Sequence, residues 1–494
     1  MPVTVETIEK LLKRIDELLA SVEELSKQLE EARQQHEMDE AKIVALEKKI
    51  EELTARKVKK DSHNSSMPPS SDGYAKPAPK SLREKSGKKA GGQIGHKGSG
   101  LQINMEPNEV RQYLPDQCSG CPNEGNCTYS CTGTHYVYDI EVNTKLIAHE
   151  IMAANCPLAG NTRIEGVFPA DAASPKQYGT KLQALIGSLL TVGYVSVDRT
   201  KQFVEGLGIP ISTGTVQNMM DQCVQATAPG TEYIRGKIAS FSELNCDETG
   251  VKVNGKLHWL HCVCTSQWSY FVVHAKRGSE AMDECGIIPA LDNCTLIHDF
   301  WASYLKYNNV DHAFCNAHIE RELVYAYEST HQNWAKQLKE LLSEMCGRRN
   351  QLCAAGNEAF PPDELAGYYD KFDLYIQGGL EQNPVIARES GKRGRIKKGK
   401  TRCLLERLRD YKSNILRFAE DWSIPFTNNE AERSIRFTKV KAKVSGGFRT
   451  MKGAEGFASV MSFVSTAKKH GVLAFDALHA ALTGNAVQLA KSWD

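Results

Sequence analysis

The chain has 494 residues, a hydrophobic fraction of 41% and a formal net charge of +1 at pH 7. That length excludes one compact core, and the composition is rich enough in apolar residues to build several. No run of about eighteen apolar residues occurs, and no basic-then-apolar leader opens the chain, so a membrane protein is excluded and a soluble, cytoplasmic protein is expected. Most of the fifteen cysteines sit singly in apolar segments such as LHCVC, where the thiol behaves as a small hydrophobe. Reduced thiols follow, with metal binding reserved for a tight cluster. The near-zero charge conceals a division along the chain. Acid is concentrated in the first segment, whereas residues 55–98 and 388–402 are strongly basic and suited to a polyanion.

Residues 6–53 hold one heptad register, with Ile8, Ile15, Val22, Leu29, Ile43 and Ile50 at a and Leu11, Leu18, Leu25, Leu46 and Leu53 at d. Mostly β-branched residues at a with leucine at d predict a parallel two-stranded coiled coil, interrupted by Ala32, His36 and Asp39. A coiled-coil dimerisation helix is therefore expected over 1–58. Residues 59–100, rich in Pro, Gly, Ser and Lys, cannot bury a core and are expected to form a basic flexible linker.

CSGCPNEGNCTYSC then places Cys118, Cys121, Cys127 and Cys131 within fourteen residues. A C-x2-C knuckle followed by two further thiols can surround one structural Zn²⁺, with Cys156 as a rival ligand, and a zinc-binding module is expected over 101–170. It includes the strand-like stretches YVYDIEV and LIAHEIM. Residues 171–235 read as helices. Within them VDRTKQFVEGLGIPISTGTVQNMMDQCVQA has an amphipathic helix, a Gly-Ile-Pro turn and a Ser212 or Thr213 cap before a second helix, the outline of a helix-turn-helix DNA-binding region.

From 242 the period becomes that of strands. Three apolar runs follow, the first two joined by Asn254-Gly255, a strong hairpin signal. A short helix (SEAMDECG), a fourth strand (CTLIHDF), a helical WASYLKY, a fifth strand (HAFCNA) and the helix HIERELVYAYEST complete a ribonuclease H-like order of elements. Asp247 lies in the first of these strands and Asp299 ends the fourth, its expected neighbour. Two such carboxylates approach closely only with cations between them, and a third from a C-terminal helix would complete a site for two Mg²⁺, with Mn²⁺ as an alternative.

In TNNEAERSIR, Asn429 and Glu432 form a capping-box pattern, and Glu432 with Arg436 an i,i+4 pair. Positions 430 and 432 lie about 200° apart around a helix, so only one can face an acidic cluster. Asp247 in CDETG, Asp299 in HDFWASY, NNEAER, and KVSGGFRTMKGAEGFASVMSFVSTAKKHG resemble the insertion-sequence 66 family of bacterial DDE transposases. The segment NSSMPPSSDG, the GGQIGHKG run and the cysteine-rich module extend the resemblance over nearly the whole chain, although Ala159 stands where a second C-x-x-C would place a cysteine.

The resemblance implies that Asp247, Asp299 and Glu432 are the catalytic, Mg²⁺-binding triad. The activity implied is cleavage at transposon ends and transfer of the freed 3′-hydroxyl to target DNA. It also implies a bacterial cytoplasmic protein, nucleoid-associated when on DNA, whose partners are terminal inverted repeats, target DNA, a second copy and accessory transposition proteins. The expected fold is a multidomain α+β arrangement. A ribonuclease H-like core (236–320 and 425–494, the second part carrying the Glu helix) is interrupted by a helical insertion domain (321–424). Arg393, Arg395, Lys397 and Lys398 in the insertion, and Lys439, Lys441, Lys443, Arg449 and Lys452 after Glu432, are expected to contact DNA phosphates. Cys315 and His318 form a C-x-x-H read as packing. The competing readings are a catalytically silent zinc-containing DNA-binding protein and a ribonuclease H-like nuclease.

Overall fold

The computed structural model describes residues 5–57, 60, 64–65, 101, 103–118, 121–122, 127–160, 162–169, 172, 174–385 and 398–494. The linker from 66 to 100 and the expected DNA contacts Arg393, Arg395 and Lys397 lie outside the described residues. The heptad segment is one helix, α1 (Val5–Lys57), and its apolar stripe is exposed. Among the described residues no helix is long and apolar enough to cross a membrane.

The chain divides into two compact units. The smaller comprises Ser81–Pro175 and Gln202–Pro210 and holds β1 (Ala153–Cys156) antiparallel to β2 (Thr162–Glu165). The strand-like segments upstream join no ladder among the described residues, and Val137 and Ile140 are exposed. Alternation alone does not make a strand; a partner backbone and a covered face are needed.

The larger unit comprises Met1–Lys80, Lys176–Lys201 and Ile211–Asp494. Helices α2 (Thr180–Thr191), α3 (Val197–Gly206) and α4 (Thr213–Ile238) occupy the region expected to be helical, with α3 running from the larger unit's Lys176–Lys201 segment into the smaller unit's Gln202–Pro210. Gly208 takes a left-handed φ of 81° in the turn after α3. Ser212 caps α4, its Oγ accepting from Thr215 N–H at 3.0 Å.

Next come β3 (Glu243–Val253), β4 (Lys256–Cys264) and β5 (Ser269–His274), helix α5 (Ser279–Cys285), β6 (Thr295–His298) and β7 (Asp311–Phe314). The sheet order is β5-β4-β3-β6-β7, antiparallel among the first three and parallel from β3 to β7. Asn254 and Gly255 both have positive φ, 48° and 74°, as a two-residue type I′ hairpin requires. WASYLKY does not form the expected helix; only Tyr304–Lys306 makes a 3-10 turn. Its aromatic residues are used one at a time rather than as a stripe. Trp301 lies against Arg277, Tyr304 donates to Glu248 and Tyr307 donates to Asp283.

Beyond β7 the chain is helical: α6 (Asn316–Thr330), α7 (Asn333–Ala354), α8 (Pro362–Gln382), α9 (Lys400–Asp410) and α10 (Lys412–Glu420). They enclose a core that includes Leu338, Leu342, Phe372, Leu405 and Leu416. The chain then returns to the sheet through α11 (Asn429–Ile435), α12 (Phe437–Val444), α13 (Met451–Lys469), α14 (Ala474–Leu482) and α15 (Ala486–Lys491). Helix α13 covers β5. Ser462 Oγ accepts from Phe271 N–H at 2.8 Å and Thr466 Oγ1 from Ser269 N–H at 3.1 Å, so hydroxyls satisfy a strand edge that would otherwise be bare. Against α4 the helix comes so close that a Cβ on Gly230 would lie 2.5 Å from Phe463.

Candidate active site

Parallel pairing of β3 with β6 sets Asn245 opposite Ile297. Two residues further on each chain come Asp247 and Asp299, so the ladder itself brings the two acids to the same edge. Helix α11 is bound to that edge by Asn428. Its Nδ2 donates to Cys246 carbonyl at 2.7 Å, and its Oδ1 accepts from Asn245 Nδ2 at 2.8 Å. The expected Asn429 capping box is not formed. Asn428 occupies the N-cap position without a side-chain cap, and Asn429 is the first helical residue and exposed. An amide at the cap position here serves the strand instead, which places Glu432, one turn along α11, over the acidic edge.

The three carboxylates line one cleft of about 1210 Å³, with Arg277, Arg321, Arg436 and Lys439 among its walls. Burial, then the charges of Glu248, Asp299 and Glu432, push Asp247 well above the usual carboxylate range, although its Oδ1 accepts from Glu248 N–H at 2.8 Å. Burial also raises Asp299, against the pull of Arg277, and raises Glu432, against Arg321 and Arg436. Oδ1 of Asp299 and Oε1 of Glu432 are buried with no hydrogen-bond partner among the described residues. Clustered, desolvated and orphaned acceptors suit a hard divalent cation.

Among the described residues, the one group of three or more metal-ligand atoms mutually within 4.8 Å is Cys315, His318 and Glu432. The oxygens of Asp247, Asp299 and Glu432 do not all converge that closely, so one ion cannot be shared by all three as they stand.

Sequence reasoning missed the groups that surround these acids. Glu248 is buried, accepting from Arg277 Nε at 2.7 Å and from Tyr304 hydroxyl at 2.8 Å. The Arg277 guanidinium is sandwiched 4.8 Å from the Trp259 ring and 4.2 Å from that of Trp301. The second acid of CDETG was a visible signal for Glu248; nothing local marked Arg277 or Arg321. Beneath Asp299, His298 stacks on Tyr304 at 4.5 Å and meets His312 at 2.9 Å, and burial pushes it down to about 3. Burial likewise pushes the Cys315 thiol up to about 11 and His318 down to about 4.

The model of the Transposase IS66 family matches residues 176–456, more than half of the chain. The chain belongs to this transposase family. A family of unknown function (DUF6444) matches residues 4–102 of the transposase, and no curated protein matches it.

The transposase's expected phosphate contacts fall into different settings. Lys439 lines the cleft, and Lys443 and Arg449 are exposed. Lys398 also lines it but pairs with Glu406 at 2.6 Å, and Lys452 pairs with Asp221 at 2.9 Å. Lys441 turns inward over the Phe448 and Phe457 rings, 4.2 and 5.4 Å from their centres. Of the expected zinc ligands, Cys118 and Cys121 share a turn in which Cys121 N–H donates to Cys118 carbonyl at 3.3 Å. Cys131 instead donates to Gly133 carbonyl at 3.4 Å, and no three of Cys118, Cys121, Cys127 and Cys131 form a ligand group. The side chain of Cys156 lies outside the described residues.

Proposed function

We propose that this transposase cuts and rejoins DNA by phosphoryl transfer in a ribonuclease H-like core, with Asp247, Asp299 and Glu432 as the residues that hold a Mg²⁺ pair. The observation that carries this reading is the meeting of three carboxylates from β3, the end of β6 and α11 in one cleft, with orphaned oxygens on two of them. Bound there, the ions would supply charge to the attacking and leaving oxygens of an in-line displacement.

The chain's own contributions follow from the walls. Asp247 and Asp299 fix one edge of the site through the β3–β6 ladder, and Asn428 fixes Glu432 against it. Arg277 balances Glu248 and draws Asp299 toward its ionised form. Arg321, Arg436 and Lys439 present positive charge to a phosphate backbone. A second copy joined through α1 would hold two transposon ends together.

Purified protein, Mg²⁺ and DNA carrying the element's terminal inverted repeats test the proposal. Strand cleavage and joining are expected to require Mg²⁺ and to be lost in Asp247→Ala and Glu432→Gln. Cleavage at the parental rate by either variant removes the triad assignment.

A further inference from the structure

Glu432 faces a second group of ligand atoms as well as the acids. Its Oε1 lies 3.7 Å from Nδ1 of His318, and Sγ of Cys315 completes a trio within 4.8 Å. The residues come from three places that the fold must bring together: Cys315 follows β7, His318 sits in the first turn of α6, and Glu432 in that of α11.

A separation of 3.7 Å is too long for a hydrogen bond, yet Nδ1 and Oε1 are both buried and neither has such a partner among the described residues. An ion between them would satisfy both. Zinc bonds of about 2.0–2.2 Å at tetrahedral angles put nitrogen and oxygen about 3.4 Å apart, close to the observed gap. The third donor is also prepared. Cys315 is 1% exposed, and its sulfur accepts the Asn428 N–H at 3.2 Å, an outer contact of the kind that orients a ligating group.

We propose that Cys315, His318 and Glu432 form a site for one thiophilic divalent ion of the Zn²⁺ class. His318 and Glu432 line the cleft, which leaves the fourth position to water or to a phosphate oxygen of DNA. Sulfur and imidazole select such an ion over Mg²⁺, and the thiol proton leaves to solvent on binding. Occupancy draws Glu432 away from Asp247 and Asp299, so zinc restrains cleavage; this last consequence alone rests on the triad reading above.

The full-length protein, stripped with a chelator and titrated with Co²⁺, tests the site. Thiolate-to-cobalt charge-transfer absorption is expected in the parent. In Cys315→Ser and in His318→Asn the corresponding affinity should fall at least tenfold, with one fewer tightly held zinc per chain on elemental analysis. His318→Asn keeps the test decisive if the buried Cys315→Ser protein does not fold. A Cys118→Ser/Cys121→Ser protein, measured alongside, should keep the signal that His318→Asn removes. Equal loading and affinity in the parent and His318→Asn overturn the site. In cleavage assays with saturating Mg²⁺, added Zn²⁺ should inhibit the parent and spare His318→Asn. Ion binding that depends on His318 but leaves cleavage untouched would keep the site and overturn the triad assignment.

Discussion

Arg277 Nε donates to Glu248 Oε1 at 2.7 Å, one residue along the strand from Asp247. Glu248 is buried, so removing its partner strands a charge in a desolvated position. Arg277→Ala should cost about 2–4 kcal/mol, at or just below the range for a broken buried pair because the guanidinium is itself partly exposed. Arg277→Lys should recover little, since an ammonium replaces neither the planar fork nor the sandwich between Trp259 and Trp301. Denaturant unfolding of the two variants measures this; full stability in the lysine variant would show that simple charge suffices.

The acidic cluster makes metal-free stability depend on pH. Asp247, Asp299 and Glu432 all bind protons more tightly in the folded chain than in the unfolded one. Their favourable contribution is therefore fully present below the ordinary carboxylate range and is lost as pH rises through the elevated folded values. In chelator, the protein should melt higher at mildly acidic pH than at neutral pH, provided other groups are matched by comparison with Asp299→Asn. At neutral pH that variant should gain about 1 °C in melting temperature for each kcal/mol of repulsion relieved, given the size of the larger unit. Mg²⁺ should raise the melting point of the parent more than that of the variant. A parent and variant with identical pH profiles would show that these carboxylates do not repel in the folded state.

Local patterns reported the parts of the fold that local physics decides. Heptads marked α1, Asn254-Gly255 marked the hairpin, and the apolar run HAFCNA marked β7 and the turn into α6. Asp247 and Asp299 were legible because each ends or interrupts a strand whose order could be read. Contacts decided by distant segments were hidden. Asn428 rather than Asn429 opens α11 because Asn245 and Cys246, more than 180 residues earlier, take its amide. Arg277 and Arg321 had no periodic signal, and the aromatic residues of WASYLKY were claimed by Glu248, Asp283 and Arg277 before a helical stripe could form.

Ser462 offers a test of how the sheet edge is closed. Its Oγ accepts from Phe271 N–H at 2.8 Å in a buried setting. Ser462→Ala leaves that amide unsatisfied at almost unchanged volume and should destabilise the larger unit by about 1–3 kcal/mol. Hydrogen exchange at Phe271 should accelerate with it. Unchanged exchange at that amide would mean that water replaces the hydroxyl without cost.

Helix α1 carries the last expectation. Ile15 and Val22 at a are 50% and 58% exposed, and Leu18 and Leu25 at d are 52% and 63% exposed, so among the described residues each of these heptad side chains is left at least half uncovered. Covering one such side chain in a paired helix is worth about 1.5–3 kcal/mol, and a charged replacement forfeits it twice in a symmetric dimer. Val22→Lys/Leu25→Lys should therefore raise the dimer dissociation constant by at least about a hundredfold while leaving the unfolding of the sheet and insertion unchanged. Sedimentation of parent and variant across a concentration series decides it. A parent that sediments as a monomer at every concentration would remove the dimer, whereas a dimer that survives both lysines would have to be held by another surface.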